Sequence, residues 1–137
     1  MRRMIPIVGL ALGLTAAAAM AGPSCNTNSI KGSFGVRCTG HITDGPLAGP
    51  FAGVGRVECD GVDTCTITSG INSLGGLIVP ISGAGPYTVN SDCTGEVTYV
   101  TPEADLHFAF VIVDHGRAVQ GIQTDPGTAV TCELIAQ

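Results

Sequence analysis

The sequence predicts an all-β protein, an eight-stranded antiparallel up-and-down barrel that is crosslinked by disulfides and follows a cleaved signal peptide. Three observations support this. The chain has 20 glycines and no tryptophan, and its mature part has no apolar face at the 3.6-residue spacing of a helix. Short apolar or alternating segments are separated by turn sequences throughout. All six cysteines lie beyond residue 21, and an even number in a small exported domain indicates disulfides.

Residues 1–21 have the features of a secretory signal peptide. Two arginines precede an apolar run over residues 5–19, and Ala19-Met20-Ala21 is a small-residue cleavage site. This arrangement is typical of export signals. The run is shorter than the roughly 20 residues that span a bilayer, and no charged stop-transfer flank follows it. We therefore expect an exported protein, periplasmic or extracellular, whose residues 22–137 form a single β-barrel domain.

Eight strands are predicted in the mature chain, because each apolar or alternating segment is bounded by glycine, proline, aspartate or asparagine. They cover residues 33–42, 51–60, 64–72, 77–90, 95–101, 106–113, 117–124 and 128–135. The segment 77–90 is either one long strand bent at its glycines or two short strands.

The short connections between these strands are typical of a meander. Closing an eight-stranded antiparallel sheet into a barrel removes its exposed edges. A two-sheet sandwich is the alternative, but it needs longer crossing connections, so the barrel is favoured. The predicted core consists of residues that alternate within strands or lie in the most apolar run. They are Phe34, Val36, Leu106, Phe108, Phe110, Ile112, Val130 and Leu134.

The closest pair of cysteines, Cys59 and Cys65, flanks a short hairpin loop. The loop length places them directly opposite each other on adjacent strands, at the separation that a disulfide needs. A zinc site would require closer pairs of cysteines. We therefore predict a disulfide between Cys59 and Cys65.

Barrel closure predicts the other two disulfides. It makes the first and last strands neighbours, and each carries one cysteine, so Cys38 is expected to pair with Cys132. Cys25 and Cys93 remain, and their bond would tie the segment before the first strand to a later turn. The local alternative, Cys25 bonded to Cys38, would weaken the case for closure.

The mature chain is acidic, with four scattered cations against eleven acids. Nucleic acids and anionic membranes require clustered lysine and arginine, so neither is expected as a partner. No later apolar run reaches the length of a transmembrane span. The scattered acids are explained by solubility.

The three histidines are the main candidates for chemistry. His41 lies at a strand end and His115 in a turn. His107 opens the apolar segment 106–113. If its face of the strand lined the barrel interior, it could act as an acid or base, or hold a ligand. We favour a structural role, since nothing else marks a site, and His107 remains the single weak catalytic candidate.

Other polar groups do not form a recognisable site. Glu58 with Glu96, and Glu103 with Asp105, are possible carboxylate pairs, but solvated acids explain them better. Asn90-Ser91-Asp92 suggests calcium, yet an EF-type loop needs more oxygen ligands, and turn chemistry accounts for these residues. No nucleophile elbow, zinc-protease or phosphate-loop motif is present. We expect no cofactor and no metal.

The most distinctive stretch is Tyr87-Thr88-Val89-Asn90-Ser91-Asp92-Cys93-Thr94-Gly95. Together with residues 25–35, the 54–61 segment and the turns at 113–116 and 124–127, it resembles a family of small exported bacterial proteins of unknown function. The likeness covers nearly the whole mature chain. It implies a calycin-like barrel, similar in architecture to lipocalins and allene-oxide cyclases, and it transfers no catalytic residue.

Three classes of function are compatible with such a barrel. The preferred one is non-catalytic binding of a small apolar ligand or a surface partner. The alternatives are a cyclase- or isomerase-like enzyme acting on an apolar substrate, and a structural or interaction module with a filled interior. Small residues at inward positions, Gly53, Gly55, Ala118 and Gly121, would leave room for a ligand or mark barrel bends. An apolar cavity would favour binding, and a buried His107 facing a carboxylate would favour the enzyme.

Overall fold

The computed structural model describes residue 22 and residues 24–137, so the predicted signal peptide, residues 1–21, lies outside the described residues. This part of the chain contains nine strands and two short 3₁₀ helices. The strands are β1 (Gly32–Ile42), β2 (Gly49–Cys59), β3 (Thr64–Leu74), β4 (Leu77–Pro80), β5 (Gly83–Val89), β6 (Thr94–Val100), β7 (Asp105–Val113), β8 (Ala118–Gln123) and β9 (Thr128–Ala136). The 3₁₀ helices are Thr27–Ile30 and Asp114–Gly116.

Eight of the strands form a closed antiparallel barrel. β1 pairs with both β2 and β9, and β2 also pairs with β3, so the sheet returns on itself. The order around the ring is β1, β2, β3, β5, β6, β7, β8 and β9. The predicted all-β class and the eight-stranded barrel are both confirmed.

The predicted segment 77–90 forms two strands along one edge of β3. β4 pairs with residues 71–74 of β3, and β5 pairs with residues 64–67. Only β5 goes on to pair with β6. Gly83 and Gly85 allow β5 to lie close to β6, because a Cβ atom on either glycine would collide with a carbonyl oxygen of β6. β4 therefore extends the β2–β3 hairpin beyond the barrel ring.

The core follows the alternation along each strand. All eight residues predicted for it face the interior: four are buried and the other four are partly buried against them. The buried four are Phe34, Phe110, Ile112 and Val130. The core also contains buried residues that the sequence analysis did not select, namely Ile30, Val57, Tyr87, Val97, Tyr99 and Val119.

Two disulfides join directly opposed residues of neighbouring strands. Cys59 and Cys65 are register partners on β2 and β3, and Cys38 and Cys132 are register partners on β1 and β9. The Cα atoms are 4.1 Å apart in each pair, and both disulfides are formed. The sulfur atoms of Cys25 and Cys93 form the third bond. The three pairs predicted from the sequence are thus the pairs in the structure.

One end of the barrel is covered by residues 24–31, which we call the N-terminal plug. The plug contacts all three hairpin turns at this end. Cys25 is bonded to Cys93 in the 90–93 turn, and the Ser29 carbonyl lies against Gly116. The Lys31 side chain packs on Gly61. The buried side chain of Ile30 joins the core, so this end of the barrel is closed.

The hairpin turns at the closed end are held by aspartate side chains. Asp60 Oδ1 accepts hydrogen bonds from the backbone N–H groups of residues 62, 63 and 64. These bonds, first that from Thr64, lower the pKa of Asp60. Asp92 Oδ1 accepts hydrogen bonds from the Thr94 hydroxyl and N–H, which lower its pKa in the same way. Asn90-Ser91-Asp92 is thus accounted for by turn chemistry.

Neither 3₁₀ helix approaches the length of a membrane span, and the described residues contain no helix long and apolar enough to cross a bilayer.

Candidate functional site: an apolar cavity in the open half of the barrel

The half of the barrel away from the plug contains a cavity of about 430 Å³. Its mouth lies between the connections 43–48, 75–76, 101–104 and 124–127. Aliphatic and aromatic side chains supply most of the wall, among them Phe51, Val57, Leu74, Val97, Phe108 and Val130. The volume falls in the range of small-molecule pockets, and a predominantly apolar lining is typical of them.

Small inward residues create part of this space. Gly53, Gly55 and Gly121 line the cavity, as the sequence analysis proposed. Ala118 was wrongly included, because Val119 is the inward residue and alternation places Ala118 on the outer face. Gly121 is the most open of the three glycines: a Cβ atom there would lie 3.4 Å from its nearest neighbour, the Ala109 carbonyl oxygen.

Several polar groups of the lining are engaged by the protein itself, whereas the Asn72 side chain, which lies against Gly53, makes no hydrogen bond within the described chain. The Thr101 hydroxyl donates to the Ala104 carbonyl at 2.6 Å, and the Gln123 side-chain amide donates to Asp125 at 2.9 Å. Arg56 borders the cavity, but its guanidinium forms an ion pair with Glu58 and donates to Ser33 on the outer face. Its positive charge therefore does not enter the cavity.

Tyr99 is the most deeply buried polar side chain of the lining. Its residue is 7% exposed, and its ring packs edge-on against Phe108 with the centroids 5.9 Å apart. Burial raises the pKa of the Tyr99 hydroxyl, which stays protonated. Sequence reasoning missed Tyr99. The signal for it was alternation along β6, where Gly95, Val97 and Tyr99 share the inward face.

His107 lies on the outer face of the barrel, not in the cavity. Its neighbours Leu106 and Phe108 face inward, so alternation turns the imidazole outward, and its side chain is 51% exposed. The ring Nδ1 of His107 lies 2.6 Å from Asp125 Oδ1, and the backbone N–H of His107 donates to Asp125 Oδ2 at 2.9 Å. The condition under which His107 was a catalytic candidate, an inward face, is therefore not met.

The carboxylate of Asp125 is stabilised by its hydrogen bonds. Partial burial alone would raise the pKa of Asp125. Three hydrogen bonds act in the opposite direction, from the backbone N–H of His107, the side-chain amide of Gln123 and the ring of His107. Their combined effect exceeds that of burial, so the pKa of Asp125 is below its usual value. The cluster fastens the 124–127 turn to the start of β7, which is the structural role favoured from the sequence.

The other sequence candidates are not assembled into a site. His41 is exposed on β1, and His115 is exposed with a φ of 55° in the turn after β7. Glu58 forms an ion pair with Arg56, whereas Glu96 has Thr88 and Ala109 as its cross-strand neighbours.

Glu103 and Asp105 are exposed around the 101–104 connection. In the described part of the chain, no three His, Cys, Asp or Glu side chains are placed to hold a metal ion.

Comparison of the chain with protein-family models, with curated proteins and with solved structures found no match.

Proposed function

We propose that this protein is an exported carrier or sensor barrel that binds one small apolar molecule in its cavity without transforming it. The observation that carries the proposal is the cavity itself. It is about 430 Å³ in volume, mostly apolar in lining, closed at one end by the plug and open at the other. A barrel of eight strands is just wide enough to enclose one small ligand.

The geometry favours binding over the two alternatives. A structural module would have an interior filled by side chains, whereas here the open half encloses space for a ligand. The enzyme alternative depended on His107 inside the barrel next to a carboxylate. His107 does pair with Asp125, but on the outer face, where an enclosed substrate would not reach it.

Export and family membership are parts of the same proposal. Three disulfides suit an oxidising compartment such as the periplasm or the extracellular medium. We also propose that the chain belongs with the small exported bacterial barrels that its 87–95 stretch resembles. The closed eight-stranded barrel supports this at the level of fold, which by itself carries no function.

Titration with a neutral fluorescent naphthylamine probe tests the proposal. We expect saturable binding to the purified protein and an increase in its melting temperature, since a ligand that binds only the folded state stabilises it. Gly121→Leu should weaken binding at least tenfold, because the new side chain would project into the cavity from a position with room for its Cβ atom.

Gln120→Leu is the matched control. It adds an apolar side chain at the next position of β8, which is exposed on the outer face, and should leave probe binding unchanged. A folded wild-type protein that does not bind the probe would contradict the proposal, as would equal binding by Gly121→Leu. Native mass spectrometry of protein purified from its own source would then identify the natural ligand.

A further inference from the structure

The Tyr99 hydroxyl is a buried polar group without an internal partner. The residue is only 7% exposed, and within the part of the chain that the structure describes the hydroxyl makes no hydrogen bond. It is not sealed in the protein either, because none of the fully enclosed side-chain polar atoms of the described residues lacks a partner. The hydroxyl therefore borders the cavity. Buried tyrosine hydroxyls usually have a hydrogen-bond partner, so one is missing here.

The other buried tyrosine shows the usual arrangement. Tyr87 faces the closed end of the barrel, and its hydroxyl donates to the Thr27 carbonyl of the plug at 2.7 Å. The plug thus supplies a hydrogen-bond acceptor for the Tyr87 hydroxyl, whereas no group of the described chain supplies one for the Tyr99 hydroxyl. The Tyr87 hydroxyl contacts the protein, and the Tyr99 hydroxyl borders the cavity.

The charges around the cavity exclude a carboxylate ligand. The Arg56 guanidinium is engaged on the outer face by Glu58 and Ser33. The exposed Glu103 at the mouth would repel an anion, and the mature chain is acidic overall. Transferring an ionised group into an apolar site without a partner of opposite charge is strongly unfavourable.

We propose that the ligand is a neutral amphiphile, an apolar body that carries one oxygen acceptor such as an alcohol, ketone or ester, and that this oxygen accepts the hydrogen bond of the Tyr99 hydroxyl. The inference rests on the proposed binding function and adds the chemical class of the ligand. Tyr99 is one inward position below Thr101 at the mouth, whereas Val97 and Val57 lie deeper. The ligand oxygen would lie at this hydroxyl, and the apolar body would contact the aliphatic and aromatic side chains of the remaining wall.

Competition with the fluorescent probe tests the inference. Decanol, decane and decanoate share a chain length and differ in their polar group. At pH 8 we expect decanol to bind the wild-type protein more tightly than decanoate, whose charge has no partner in the cavity. Tyr99→Phe should weaken decanol binding about tenfold, the effect of losing one hydrogen bond to a neutral group, and should leave decane binding unchanged.

Tyr87→Phe is the matched control, because it removes a hydroxyl that the plug already satisfies. It should leave the ranking of the three compounds intact.

Equal losses of decanol and decane binding in Tyr99→Phe would overturn the inference while leaving the proposed function standing. Tighter binding of decanoate than of decanol to the wild-type protein would do the same. If none of the three compounds displaces the probe, the ligand class is wrong. If the probe itself does not bind the wild-type protein, the result contradicts the proposed function, on which this inference rests. The comparison of decanol with decanoate in the wild-type protein remains a test even if the Tyr99→Phe variant does not fold.

Discussion

At the scale of single residues, the most distinctive sequence motif serves packing. Gly95 follows the 90–93 turn as the second residue of β6, and a Cβ atom on it would collide with the Thr88 carbonyl and the Phe110 ring. The ring lies over the glycine, so the absence of a side chain there lets Phe110 form part of the core. Asp92 holds the same turn by accepting from Thr94. The motif is thus explained by turn geometry and close packing.

Gly95→Ala is therefore expected to lower the free energy of unfolding by about 1–3 kcal/mol, the usual cost of overpacking a core. Gly121→Ala is the control. Its Cβ atom would meet only ordinary van der Waals contacts, and reduced freedom of the unfolded chain should make it neutral or stabilising by about 0.4–1 kcal/mol. Chemical denaturation of both variants measures the difference. A Gly95→Ala variant as stable as Gly121→Ala would show that the Thr88 backbone and the Phe110 ring both move aside without cost.

At the scale of elements, hairpins and their disulfides organise the barrel. The Cys59–Cys65 bond closes a sequence separation of only 6 residues within one hairpin. The Cys38–Cys132 bond spans 94 residues and joins the first and last strands of the ring. Loop-closure entropy in the unfolded chain grows with the length enclosed. The bond between β1 and β9 should therefore contribute more to stability.

We expect the double variant Cys38→Ala with Cys132→Ala to have a lower melting temperature than Cys59→Ala with Cys65→Ala. The loop-entropy relation gives about 4.7 kcal/mol for the long loop and about 2.4 kcal/mol for the short one. Replacing the cysteines by alanine instead of serine avoids burying a hydroxyl at either pair. The difference in melting temperature therefore reflects mainly the loss of each crosslink. Differential scanning calorimetry measures it. An equal or larger loss for the hairpin pair would mean that local packing outweighs chain entropy.

At the scale of the whole molecule, the two ends of the barrel differ. The plug, the third disulfide and the aspartate-based turns close one end, and the cavity occupies the other half. Under the proposed function, a ligand would therefore enter from the end away from the plug. It also makes the segment immediately after the predicted signal peptide part of the fold, because Cys25 and Ile30 lie within it.

We expect protein purified from its own source to begin at Gly22. Cleavage there leaves Cys25 free to bond Cys93, whereas a lipid on the Cys25 sulfur would exclude that disulfide. N-terminal sequencing combined with intact mass measurement tests this. Retention of Met1, or a lipid attached to Cys25, would contradict both the predicted export route and the pairing of Cys25.

Much of the fold was accessible from the sequence because it is encoded locally. Turn residues mark the strand ends to within two positions, except that the segment 77–90 is divided into β4 and β5. The hairpin register places Cys59 opposite Cys65, and closure leaves Cys38 and Cys132 on adjacent strands. These inferences need only the period of a strand, the length of a loop and the geometry of a disulfide.

The site was not accessible in the same way, because it depends on which face of each strand is inward. The segment 106–113 is apolar on both faces, so its sequence pattern indicates Phe108 as a core residue but does not exclude His107 from the interior. Pairing with β6 and β8 decides this, and it turns His107 outward. Likewise, only the assembled ring shows that the plug satisfies Tyr87 while Tyr99 borders an unfilled space. The sequence by itself determined the class of fold, the strands and the disulfides. The cavity and its one unpaired hydroxyl were decided by the tertiary structure, since both arise from residues far apart in the chain that meet only when the barrel closes.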